Sequence, residues 1–531
     1  MEYTISDKAK KVTLGVAVVG LVLLVIGFFS QKDFVYAEKV NDHAVSITYN
    51  GKADIDQQNK LKEEIKEKLG GYEIEFHESN HHSSHANHQE LDASHNQTDT
   101  EHATLHASAD GDHGHEVDHV HHGPTFVWDV HLNHTATAES HDNHTESGAD
   151  KLVTMVNDGE IAFADRGNRR FWSNLLVNGF FFFGIALGAL FYLALHYATE
   201  SGWGVVLLRI FEGIMSAMPI GIAVLLIVFI AGTFGGHHIY AWMDPEYTDP
   251  NSSHFDPIIY GKRAYLNLPF FWIRVVAYFT TFYLFLRWFK NKSRQEDKEG
   301  GTESHFKMYR RGALFLVFFA VFSSTMAWDF IMSIDTHWFS TLFGWYVFAS
   351  MAVSGITTIA LISIYLKSNG YLPNVNDNHL HDLGKFMFGF SVFWTYLWFS
   401  QFMLIWYSNI PEEVVYFISR IEDYTIPFWG MVVINFVLPF LLLVSSSLKR
   451  VSWILVMAGI VILVGHYMDV FNMIMPSAVG DQWFIGIPEI SSIMFFAGLF
   501  IYIVFSSLEK APLEVKGDPF NEESKKFIYP F

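Results

Sequence analysis

Ten apolar runs, each near the roughly 20 residues that a helix needs to cross a bilayer, punctuate this 531-residue sequence. They fall at about 12–29, 171–198, 204–233, 269–290, 309–333, 338–366, 383–408, 425–448, 451–475 and 485–507. In hydrocarbon every backbone N–H and C=O needs a partner within the protein, and a long apolar run meets that need as a helix. The fold class expected is an all-α polytopic membrane protein of about ten transmembrane helices. Half of the chain is apolar, Phe alone numbers 50, and only 17% is charged, against about a quarter in an ordinary soluble chain. Cysteine is absent. That excludes Cys-ligated iron–sulfur clusters, CxxCH-type haem attachment and disulfides within this chain.

Lys8, Lys10 and Lys11 precede the first run. A basic flank and an apolar core also describe a signal peptide. No small-residue cleavage site follows, since Ser30-Gln31-Lys32-Asp33 is a poor one. The run is therefore read as an uncleaved first span. Lysine and arginine then set the orientation. Lys290, Lys292, Arg294, Lys298, Arg310, Arg311, Lys367, Lys449, Arg450 and the tail lysines 510, 516, 525 and 526 fall on one side, the inside. Arg166, Arg169 and Arg170 break the rule at the end of a long insert, where it is weak. Both termini are expected in the cytoplasm.

The insert, 30–168, is the one sizeable part outside the bilayer and carries much of the −20 net charge. Its first half reads as β–α–β: HAVSITYNG, a Glu/Lys-patterned DQQNKLKEEIKEKL, then YEIEF. A His/Asp/Ser/Asn tract follows, and 17 of the 27 histidines lie between His77 and His144. Such composition builds no core. Loose binding of Zn²⁺, Cu²⁺ or Ni²⁺ through imidazoles fits it, but no ligand spacing recurs, so a pH-responsive outer loop is the plainer reading and no defined metal ligands are expected. TFVWDVHL and KLVTMVNDGEIAFA look strand-like.

An internal repeat organises the rest. FWSNLL at Phe171 matches WFSTLF at Trp338, and Arg209 with Gly213 matches Lys385 with Gly389. LPFFWIRVV at Leu268 matches IPFWGMVV at Ile426, and AWDFIM with Asp329 matches HYMDVF with Asp469. Four matches in the same order argue for two four-helix units, spans 2–5 (169–333) and 6–9 (334–476), related by an axis along the membrane normal. Span 1 (1–29) and the last span with its tail (477–531) stand apart. Gly184 and Gly188 have the spacing of close helix packing.

Ionisable residues inside the spans fall into two layers, and such residues carry function by default. Toward the outer face lie Arg274, Asp329, and His466 with Asp469 three residues on, joined by loop residues His237, His238, Asp335 and His337. Toward the inner face lie His196, Arg209 with Glu212, and Lys385. Arg209–Glu212 and His466–Asp469 read equally as neutralising pairs or as proton-handling groups. Asp329, one turn inside an apolar segment, is expected to handle protons rather than to form half of an ion pair.

The segment WDFIMSIDTHW at 328–338, the two four-helix units and the long outer insert together resemble the NrfD/polysulfide-reductase family of membrane subunits. Within it the chain is most similar to the ActF-type subunit of bacterial alternative complex III. The resemblance covers the ten spans and not the insert. It implies a subunit of a quinol:cytochrome c oxidoreductase that holds no redox centre itself. Menaquinol or another quinol would be the substrate, with haem and iron–sulfur centres in partners: an iron–sulfur protein, a sister NrfD-like subunit and c-type cytochrome subunits, with a terminal oxidase beyond. It also implies that Arg274, Asp329, Asp335, His337, His466 and Asp469 line a quinol site or a proton path. Partners otherwise are membrane lipid, and no feature points to nucleic acid. Two rivals of other classes remain at this stage: a secondary transporter for a divalent cation, motivated by the His-rich loop, and a purely structural scaffold.

Overall fold

The structure is a computed structural model that describes residues 3–4, 6–30, 35–41, 44–50, 62, 63, 65, 66, 68, 69, 72–78, 125–134, 148–157, 167–252, 255–480 and 485–528. The chain divides into two compact units, Phe34–Phe163 and the remainder. The His-rich stretch 79–124 lies outside the described residues.

In the smaller unit, β1 (Val35–Asn41), β2 (Ala44–Asn50), β3 (Tyr72–Glu78) and β4 (Thr125–His134) form an antiparallel sheet in the order β1-β2-β4-β3. Val45 and Ile47 on β2, and Trp128, Val130 and Leu132 on β4, alternate into one core, as a half-buried sheet requires. Ile65 and Leu69 join it from the helical residues between β2 and β3. One expectation is corrected. KLVTMV is not a strand but part of a helix, Gly148–Asn157. Ala149, Leu152 and Val156 recur at helical spacing and all turn to the core.

The larger unit is all-helical in its membrane-like part. Among the described residues ten helical spans are long and apolar enough to cross a bilayer: Asp7–Ile26, Arg169–Ala198, Val205–Thr233, Leu268–Glu299, Glu303–Ile334, Leu342–Ser368, Asp377–Ser408, Thr425–Leu443, Ser452–Val479 and Ile487–Leu508. They are spans 1–10 below. The chain is a multi-pass membrane protein.

The two four-helix groups interlock in one body. Span 2 packs on spans 3, 5, 6 and 9, and span 6 packs on spans 7, 9, 2 and 5, so these four neighbours of one have their counterparts around the other. At the centre Gly188 meets Gly355. Gly188 lies seventeen residues beyond Phe171, and Gly355 seventeen beyond Trp338. Equivalent residues touch each other only near a two-fold axis, so the repeat and the packing describe the same relation. A Cβ on Gly188 would stand 2.6 Å from Met351 O, and one on Gly355 would stand 3.0 Å from Gly188 Cα. Gly188→Ala and Gly355→Ala should each destabilise the protein by about 1–3 kcal/mol, the usual cost of overpacking. Thermal unfolding in detergent checks this, and an unchanged midpoint in both variants contradicts it.

Two spans are irregular where proline removes a donor. Span 3 is broken between helices Leu208–Met215 and Met218–Thr233, with Pro219 in the first turn of the second. Span 8 widens to a π-turn over Val433–Val437, immediately before Pro439. Spans 1 and 10 cross closely through Gly20 and Gly498, and span 10 also packs on spans 2 and 3.

Candidate functional site

The end of the bundle holding Trp328 and Trp338 is called the outer end below, after the orientation expected from the lysine and arginine distribution, and the opposite end the inner one. Two buried aspartates sit near it, at the matching ends of spans 5 and 9, yet their surroundings differ. Asp329 is fully buried, and Arg274 of span 4 grips both of its oxygens, with Nε and Nη2 each at 2.8 Å. Tyr278 donates to it at 2.8 Å. The guanidinium also lies over the Tyr265 ring at 3.9 Å and donates to Tyr265 O. This corrects the expectation of a free acid. Asp329 is half of a bidentate ion pair, and the partner was hidden because it comes from another helix 55 residues away.

Among the described residues Asp469 has no lysine or arginine partner. It is fully buried and accepts from Tyr346 of span 6, and from Trp394 Nε1 of span 7 at 2.8 Å. His466, also fully buried, stands one turn back on the same face with Nδ1 at 3.5 Å from the carboxylate. The same nitrogen is 3.0 Å from Ser350 Oγ, while Nε2 has no hydrogen-bond partner among the described residues. Asn435, in the π-turn of span 8, lies against Gly465, and neither of its side-chain polar atoms has a partner. Buried polar groups are nearly always paired, so unpaired ones beside an uncompensated acid mark the place as unusual.

From Ser350 a line of hydroxyls runs inward along span 6. Ser354 bonds to Ser350 O and Thr358 to Ser354 O, both at 2.8 Å, covering about 12 Å of helix at 1.5 Å per residue. A cavity of about 10 Å³ between spans 2, 6 and 9, lined by Ser350, Ser354, Gly184 and Met473, abuts this line. That is the least space that holds one water.

The loop groups near Asp329 pair among themselves. His337 Nε2 is 2.5 Å from Asp256 Oδ2, and Asp256 caps a short helix by accepting from Ile258 and Ile259 N–H. Burial works against the charge on Asp256, but those N–H groups and His337 together hold its carboxyl below the ordinary value. Burial pushes the Lys262 ammonium down, against the opposing pull of Asp335 and Asp256. Asp335 is half-buried beside it, and Lys262 donates to Thr336 O. His237 is a structural cap: Nδ1 accepts from Ile239 N–H, which leaves Nε2 to donate to Val228 O at 2.9 Å. His238 faces Asp244 at 3.9 Å.

At the opposite end Arg209 binds both oxygens of Glu212 at 2.7 and 2.8 Å, Ser293 Oγ at 2.9 Å, and Asp297. Asp297 also accepts from Lys516 and Gly517 N–H, so this network ties the C-terminal tail to spans 3 and 4. Lys385 pairs with Asp382 at 2.7 Å and is partly exposed. His196 is buried beside Tyr197 and Gly204, apart from both pairs.

Three buried groups escaped sequence reasoning. Glu489 receives Arg170 Nε and Asn174 Nδ2, both at 2.8 Å, which explains an arginine on the outer side. Arg420, from the segment between spans 7 and 8, closes the end of span 9 by donating to Asn472 O, Met473 O and Ser477 Oγ. Glu296, His305 and Asp518 converge at the inner end. A charge just inside a span was a readable signal for Arg170 and Glu296. His305 and Glu489 carried the same signal near the ends of spans 5 and 10, whereas Arg420 and Asp518 come from the segment between spans 7 and 8 and from the tail, where charge is ordinary.

The arrangement defines a class: a helical multi-pass membrane protein with one ion-paired and one uncompensated acid at equivalent spans. No protein-family model matches the chain, and no curated protein does.

Proposed function

We propose that this chain is a membrane subunit of a quinol:cytochrome c oxidoreductase of the alternative complex III kind, and that it serves there as a proton path. One observation carries this reading: Asp469, buried beside His466 and with no lysine or arginine partner among the described residues, stands at the head of the Ser350–Ser354–Thr358 line. Quinol oxidation releases protons beside a membrane, and a carboxylate with an imidazole one turn away can accept and pass them. The Arg274–Asp329 pair holds the other repeat rigid at the equivalent place. The redox centres, haem and iron–sulfur, belong to partner subunits, because this chain has no cysteine to ligate clusters or anchor c-type haem. Menaquinol or a related quinol is the electron source, and the setting is the bacterial inner membrane with both termini cytoplasmic.

Purification in mild detergent from the native membrane tests the assignment. Multihaem c-type cytochrome and an iron–sulfur protein should co-purify with the chain in fixed ratio. A homo-oligomer free of haem would contradict it and return the divalent-cation transporter to the front.

A further inference from the structure

Where span 4 ends and span 5 begins, three side chains from distant parts of the chain meet. Glu296 comes from the last turn of span 4, His305 from the first turns of span 5, and Asp518 from the C-terminal tail. All are buried, at 0, 4 and 4% exposure. One ligand atom from each lies within 4.8 Å of the others.

These groups do not satisfy one another. Both oxygens of Glu296, both ring nitrogens of His305 and Oδ2 of Asp518 lack any hydrogen-bond partner among the described residues. His305 Nδ1 stands 3.8 Å from Glu296 Oε1 and 3.6 Å from Asp518 Oδ2. A proton shared between such groups would draw them to about 2.5–2.9 Å. Ligands held about 2.0–2.2 Å from a common tetrahedral ion sit about 3.4 Å apart, close to the spacing found. Charge points the same way. The cluster offers two carboxylates and one imidazole, and the adjacent arginine, Arg209, is already engaged by Glu212 and Asp297. A divalent cation would neutralise both acids and give each of the three residues a partner through one ligand atom.

We propose that Glu296, His305 and Asp518 form a structural site for a divalent first-row transition-metal ion, zinc in the first instance. Water completes the coordination. The ion staples the C-terminal tail beneath the hairpin of spans 4 and 5. Backbone bonds already bring the tail there, since Lys516 and Gly517 N–H donate to Asp297 Oδ1 at 2.9 and 3.2 Å. One nitrogen and two oxygen ligands suit zinc, iron or manganese and exclude a thiolate-selected ion. The proposal stands independently of quinol chemistry.

The test is metal retention by the full-length protein, in the assembly it forms, after washing with a chelating resin. Any metal held by the histidines of the insert would be common to all forms, so the comparison is with His305→Gln and Asp518→Asn, which leave that insert intact. Wild type should retain about one equivalent of zinc, iron or manganese, and each variant about tenfold less at the same washing, as expected when a ligand is lost. X-ray absorption of the retained metal should show nitrogen and oxygen neighbours only, at about 2.0–2.2 Å. As a check that needs no variant, stripping the wild type should lower its melting temperature, and zinc but not magnesium should restore it. Equal retention in wild type and variants, or a melting temperature indifferent to chelator and zinc, would overturn the site and leave a cluster neutralised by protons.

Discussion

Asp469→Asn should assemble with its partners and slow quinol-dependent turnover by roughly tenfold or more, the usual scale for losing a positioned acid or base. Asparagine keeps the size of the side chain, with its oxygen accepting from Trp394 Nε1 and its amide free to donate to the Tyr346 hydroxyl, so the local packing survives. What disappears is the titratable proton. Among the described residues no lysine or arginine contacts Asp469, so neutralising it strands no such buried cation. A purely structural role predicts the reverse pattern: loss of assembled complex with normal turnover in what remains. Subunit content and turnover measured on the same preparation separate the two.

Arg274→Leu should do the opposite and damage stability more than any other single change at the outer end. It leaves Asp329 fully buried without the cation that balances its charge, although Tyr278 still donates to it. Removing one member of a buried pair typically costs about 3–5 kcal/mol, whereas replacing both by apolar residues of similar volume is far milder. The single variant should unfold at markedly lower temperature in detergent or fail to accumulate. Arg274→Leu with Asp329→Leu should recover most of the loss. A single variant as stable as wild type would show that Asp329 does not depend on this arginine.

The contrast between the two aspartates shows what was legible in the sequence. Span positions follow from apolar length alone, because the bilayer imposes one solution on such runs. The repeat was legible as four ordered matches, but the pairing of Gly188 with Gly355, at equal offsets in spans 2 and 6, came only with the packing. Within a helix, spacing carries information, so Arg209–Glu212 and His466–Asp469 were visible as pairs. Between helices it carries none. Nothing local says that Arg274 faces Asp329, while the matching place in span 9 is served by Tyr346 and Trp394 from two other spans. Asp518 was equally opaque, as an ordinary polar residue in a tail that packs under the bundle. In the insert, KLVTMV misled because β-branched and helical patterns overlap in short apolar stretches, and the positions of Ala149, Leu152 and Val156 decide for the helix.

Proton movement coupled to quinol oxidation tests the central claim most directly. The intact complex would be reconstituted into vesicles with a pH-sensitive dye and supplied with reduced menaquinone analogue and oxidised cytochrome c. Wild type should reduce the cytochrome with protons appearing at the outer face, and Asp469→Asn should slow both together by about tenfold. An Asp469→Asn complex that contains every subunit and matches wild type in electron transfer and proton appearance would contradict the account.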